Sequence, residues 1–161
     1  MAKWKDPVYD RTEEDVAYAK EKIAEWITAI QTGEYAETFE LKGCLNVSDF
    51  NRIEGNIEYL NDMLGSLGYP VGVTTREWSM SDIPTSEDVS RIISNIREII
   101  SSYYQQEGVT TLPSSMGRYN QINAIEENLL KIKELLDCMI NSYQRSGAFT
   151  SSGMRMLPIR R

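Results

Sequence analysis

Between residues 50 and 67, apolar side chains recur at steps of three and four: Phe50, Ile53, Ile57, Leu60, Leu64 and Leu67. That spacing brings them to one face only if the backbone is an α-helix. The same rhythm returns at Val89, Ile92, Ile96, Ile99 and Tyr103, and again at Ile122, Ile125, Leu129, Ile132, Leu136, Met139 and Tyr143. An earlier run, Val16, Ala19, Ile23, Ile27 and Ile30, ends at Gly33. Helical stripes this narrow pack against other helices. The expected fold is therefore all-α, a compact bundle of about four main helices. Its seam includes Ile23, Ile53, Ile57, Leu60, Ile92, Ile96, Ile99, Ile125, Leu129, Ile132 and Leu136.

Boundary signals agree with the stripes. Thr12 with Asp15, and Thr85 with Asp88, have the spacing of capping boxes. Ser48 is the expected cap of the second helix, and Gly68 its stop. "EYAETFELKGCL" has the composition of a further short helix, while "VGVTT" and "GVTT" favour short extended pieces. The chain divides into an extended N-terminal arm (1–11), a helical bundle domain (12–145) and an extended basic C-terminal arm (146–161).

Three helices share a pattern. "FNRIEGNIEYL" (50–60), "VSRIISNIREI" (89–99) and "INAIEENLLKI" (122–132) each place Asn or Ser second, Ile fourth and Asn seventh. "GVTT" occurs at 72–75 and at 108–111, each time leading to Pro and small hydroxyl residues. A helix-plus-loop unit is thus partly repeated, in too few and too uneven copies for an open solenoid. The recurring Asn56, Asn95 and Asn128 flank the seam. Buried amides usually bond to backbone, so these should hold an adjoining loop such as the "VTT" connections. The alternative is a polar ligand site made of three amides.

Charge and composition narrow the function. The 161 residues carry a net charge of −7, which argues against a nucleic-acid surface. Residues 138–161 hold four arginines and no acid, a charge of +4, residues 1–11 carry +1, and the middle holds −12. No apolar run reaches membrane-spanning length, and "MAKWKDPVYDRTEED" lacks the apolar stretch of a secretory signal. Histidine is absent, which removes the commonest general base and imidazole metal ligand. Cys44 and Cys138 sit in no metal or redox spacing, and their apolar neighbours point to buried free thiols. Calcium loops, phosphate loops and nucleophile elbows are missing, and no cofactor or metal is expected. Acid pairs such as Glu54 with Glu58 share a helix face and are expected to be solvated. If they met in a cleft, they would suit a carboxylate-dependent hydrolase of cell-wall glycan.

Large apolar residues in the arms and loops point to docking. Trp4, Pro7, Tyr9 and Arg11 lie in the N-terminal arm, and Trp78 in the loop "TTREWSMSDIP". Phe149, Met154, Arg155, Met156, Leu157, Arg160 and Arg161 lie in the tail "SGAFTSSGMRMLPIRR". Gly147, Gly153 and Pro158 disfavour helix in that tail. Apolar anchors combined with arginines suit an arm that lies extended on an acidic neighbour. The alternative is that both arms fold back on their own bundle.

Four segments taken together carry a resemblance: "DPVYDRTEEDV", "LKGCLNVSDFNRIEGNIEYL", "TTREWSMSDIPTSEDVSRIISNI" and "INAIEENLLKIKELLD". They resemble a family of small virion structural proteins encoded in the tail or fibre regions of phages and prophages of Firmicutes. The matching residues are Asp10, Arg11 and Thr12 after the arm, Leu41 to Glu54, Trp78 to Thr85, and Ser146 with Gly147. The resemblance implies a non-enzymatic tail, baseplate or fibre-attachment component with no catalytic residues. Its partners would be other virion proteins and copies of itself, in a homo-oligomer within a larger assembly. It would be made in the bacterial host cytoplasm and reside in the virion. A different expectation from the charge alone is a soluble acidic adaptor that binds a host protein.

Overall fold

A computed structural model describes residues 2–34, 40–102 and 111–145, with side chains only as far as residue 142 in the last helix. It is all-α. Helices α1 (Glu13–Thr32), α2 (Val47–Ser66), α3 (Ser86–Ser101) and α4 (Tyr119–Arg145) follow one another, with no strand among the described residues. The "VGVTT" segment at 71–75 runs without regular secondary structure. The short helix expected at 34–45 lies partly outside the described residues, and Leu41–Cys44 form a turn.

Local chemistry sets the boundaries. Thr12 and Asp15 form a complete capping box: the Asp15 carboxylate accepts from the Thr12 N–H at 2.8 Å, and the Thr12 hydroxyl accepts from the Asp15 N–H at 3.2 Å. Thr85 and Asp88 repeat the arrangement at α3. For α2 the cap is Asn46 rather than Ser48, because Asp49 is three residues beyond Asn46 and accepts its N–H at 2.8 Å. Gly33 ends α1 at φ 75° and Gly68 follows α2 at φ 89°, the left-handed backbone that glycine adopts at least cost.

The core lies among α2, α3 and α4. Ile53, Ile57, Leu60, Ile92, Ile96, Ile99, Ile125, Leu129, Ile132 and Leu136 are all essentially inaccessible. The main helix packing joins α2 to α4 and α2 to α3. Helix α1 contributes only Ala19 as a fully buried residue, and Ile23 is exposed rather than part of the seam. Its first turns are fixed by the 40–46 loop. A Cβ on Gly43 would fall 2.0 Å from the Asp15 carbonyl oxygen, so only glycine permits this approach. Lys42 pairs with Asp10 at 2.9 Å and with Asp15 at 3.6 Å. Beyond that anchor the helix presents Ile23, Ile27 and Ile30 at 37, 51 and 72 % exposure.

The cysteines differ from expectation. Cys44 is half-buried and Cys138 is exposed. Cys138 falls between the seam residues Leu136 and Met139, and apolar sequence neighbours do not fix the direction of a helical side chain. Burial pushes the Cys44 thiol pKa up, with Asp49 adding to the effect.

Candidate interaction surfaces and the groove clamps

Four asparagines grip extended backbone in the same way. Asn95 accepts the Thr74 N–H at 3.2 Å and donates to the Thr74 carbonyl at 2.7 Å. Asn56 does the same to Lys5, at 2.9 and 2.8 Å. Asn51 holds both backbone groups of Trp78 at 2.7 and 2.9 Å, and Asn123 those of Arg11 at 3.3 and 2.9 Å. A primary amide offers one acceptor and two donors, so it satisfies an extended residue much as a neighbouring β-strand would.

The clamps follow the sequence repeat. Asn56 and Asn95 are seventh in the unit, whereas Asn51 and Asn123 are second. The arm runs from Asn56 on α2 to Asn123 on α4, and the 74–78 segment runs from Asn95 on α3 to Asn51 on α2. Each extended segment therefore crosses from one helix to the next. The expected backbone role of Asn56 and Asn95 is what the structure shows. Asn128 differs, since it donates to Ala124 in its own helix at 2.7 Å. The second "GVTT" falls mostly outside the described residues, with only Thr111 described.

Acids stand beside the clamps. Glu126, fully buried, accepts the Val8 N–H at 2.7 Å, Arg11 at 3.0 Å and Arg52 at 2.8 and 2.6 Å. Asp49 meets the same two guanidinium groups, at 2.9 Å to Arg11 and 2.5 Å to Arg52. Two cations and two anions thus close a neutral buried cluster. Burial opposes the charge on Arg52, but Glu126 and Asp49 outweigh it and hold its pKa above the ordinary arginine value. At the corresponding position of α2, Glu54 accepts from Arg91 at 2.5 Å and from the Trp78 indole N–H at 3.2 Å.

This geometry corrects the expected docking roles of the N-terminal arm and Trp78. Arg11 is buried in its own chain's ion-pair cluster. Trp4 packs against Tyr59, with ring centroids 5.6 Å apart, and lies beneath the Lys133 ammonium. Pro7 is half-buried. Trp78 stacks on Phe50 at 4.6 Å, is capped by Arg76 at 4.1 Å, and is only 4 % exposed. The arm therefore folds back on its own bundle, leaving Tyr9 as its exposed aromatic residue at 46 %. Phe149, Met154, Arg155, Met156, Leu157, Arg160 and Arg161 lie outside the described residues.

Glu54 and Glu58 do line one cavity of about 380 Å³, together with Lys5, Asn51, Arg76 and Glu77. Both Glu54 oxygens are already engaged by Arg91, and one also by Trp78. Two other surfaces are open. One is the apolar side of α1. The other is the 79–84 turn, where Asp82 accepts from the Ser79 N–H at 2.7 Å and Met80 and Ile83 point outward at 90 and 84 % exposure. No helix of the described residues is long and apolar enough to cross a membrane. No family model, no curated protein and no solved structure matches this chain.

Sequence reading missed the Arg11–Asp49–Arg52–Glu126 cluster and the clamps at Asn51 and Asn123. A signal was present. In α2 and α4 an acid directly follows the fourth-position isoleucine (Glu54, Glu126), where α3 has Ile93, and such a position borders the seam.

Proposed function

We propose that this protein is a non-enzymatic structural component of a phage particle, acting in the tail, baseplate or fibre-attachment region. The observation that carries the reading is the use of its buried and half-buried polar groups. Asn51, Asn56, Asn95, Asn123, Glu54 and Glu126 lash extended segments and their side chains onto helix grooves. Charged and amide groups spent in this way brace a body that holds its shape under load. The sequence resemblance to small virion proteins points the same way.

The N-terminal arm belongs to that body, so assembly falls to the C-terminal tail and to the exposed surfaces. The tail, through Phe149, Met154, Met156 and Leu157 with Arg155, Arg160 and Arg161, lies on a neighbouring copy or another virion protein. Its +3 charge complements the −10 of each body, residues 1–145. The turn bearing Met80 and Ile83 offers a second, preformed contact. A mass-spectrometric inventory of purified particles tests the proposal. Stoichiometric presence supports it, whereas presence in the lysate alone favours an acidic adaptor and refutes it.

A further inference from the structure

Among the described residues, the Ile23, Ile27 and Ile30 stripe of α1 is left exposed. Ile23, Ile27 and Ile30 grow more exposed with distance from the anchored first turns. We propose that α1 pairs antiparallel with α1 of a second copy of this chain, with Ile27 at the two-fold axis.

Three observations select this occupant and orientation. The stripe is self-complementary: from Ile27, a step of four back reaches Ile23 and a step of three forward reaches Ile30, so an antiparallel copy sets Ile23 against Ile30 and Ile27 against itself. Charge is the second. Between Ile23 and Thr32 the only charged residue is Glu25, so an acidic or basic partner finds little to pair with. Glu13, Glu14 and Asp15 crowd the first turn. A parallel pair would set those acids beside their copies, whereas an antiparallel overlap of the C-terminal halves keeps them at opposite ends. The third is the anchor. Gly43 and Lys42 hold the N-terminal end of α1 against the bundle, so parallel pairing would drive two bundles together, and antiparallel pairing places them at the outer ends.

The exposed stripe is small for a dimer interface, well below the roughly 1,200 Å² of specific stable complexes. The pairing is therefore weak in free solution. It strengthens where other contacts already hold copies together. The inference does not rest on the virion reading and can fail without it.

Sedimentation of the full chain over a rising concentration series reads the pairing. The wild type should shift toward dimer across the series, and Ile27→Lys should weaken that shift with an unchanged helical circular-dichroism spectrum. In a Cys138→Ser background, Ile27→Cys should cross-link to its own copy under oxidation. Ile30→Cys and Thr28→Cys should do so far less. A monomer throughout, a dimer that Ile27→Lys leaves as strong as in the wild type, or cross-linking at position 30 that equals or exceeds position 27 would each overturn the proposal.

Discussion

Glu126→Gln isolates the charge of the buried cluster without changing its volume. The carboxylate accepts four hydrogen bonds, from Val8, from Arg11 and twice from Arg52. An amide supplies one acceptor oxygen and turns two donors toward groups that are themselves donors. Arg11 and Arg52 would then share the single charge of Asp49. Breaking a buried pair in this way costs about 3–5 kcal/mol. The lower end applies here, because the Arg52 side chain is 13 % exposed and can turn toward water, whereas that of Arg11 is 1 % exposed and cannot. A loss of about 3 kcal/mol lowers Tm by about 6–12 °C in a chain of this size. Thermal unfolding followed by circular dichroism measures the shift. Glu127→Gln is the control, since it removes the same charge one residue away from a more open pair with Lys131 and should move Tm by no more than about 2 °C. Amide exchange at Val8 and Arg11 should accelerate in Glu126→Gln alone. Equal shifts in the two variants, or unchanged exchange at Val8, would refute the account of the arm as lashed through Glu126.

Asn95→Ala removes both bonds to Thr74, and a loss of about 1–2 kcal/mol is expected, read as a lower unfolding midpoint; an unchanged midpoint would remove the clamp role. Gly43→Ala should destabilise the protein and loosen α1, because the added methyl meets the Asp15 carbonyl and not a flexible side-chain end; a neutral effect on thermal unfolding would contradict the fixed approach. The carboxyls of Asp15 and Asp88 are held below their ordinary value of 3.8 by the N–H and hydroxyl groups of Thr12 and Thr85. Their folded pKa is depressed, so the stability they contribute is complete above about pH 5 and disappears as pH falls through the lowered values. Asp88→Asn should flatten that acid limb in a titration of Tm against pH, and an unaltered limb would count against the cap's contribution.

Periodicity located α2, α3 and α4 and nearly all of their seam, because a stripe repeated at steps of three and four has one helical solution. It failed at Ile23 for a physical reason: spacing reveals which face of α1 is apolar, and not whether the same chain covers it. The caps at Thr12 and Thr85 were legible as local chemistry. At α2 the serine beside the true cap competed with Asn46, and only the position of Asp49 decides between them. The backbone role of Asn95 was readable because the "VTT" segment lies close by in sequence. That of Asn123 was not, since Arg11 is more than a hundred residues away. Trp78 read as an open loop aromatic because its partners, Phe50, Glu54 and Arg76, converge only once α2 and the 70–78 segment are packed together.

Particles assembled in cells that supply either the full chain or a chain lacking residues 146–161 show whether the tail carries assembly. The measurement is the copy number of each form in purified particles, beside its folded level in the lysate. The full chain should be incorporated stoichiometrically, and the truncated chain should stay folded and helical in the lysate yet be missing from particles. Equal incorporation of the two forms, or absence of the full chain from particles, would contradict it.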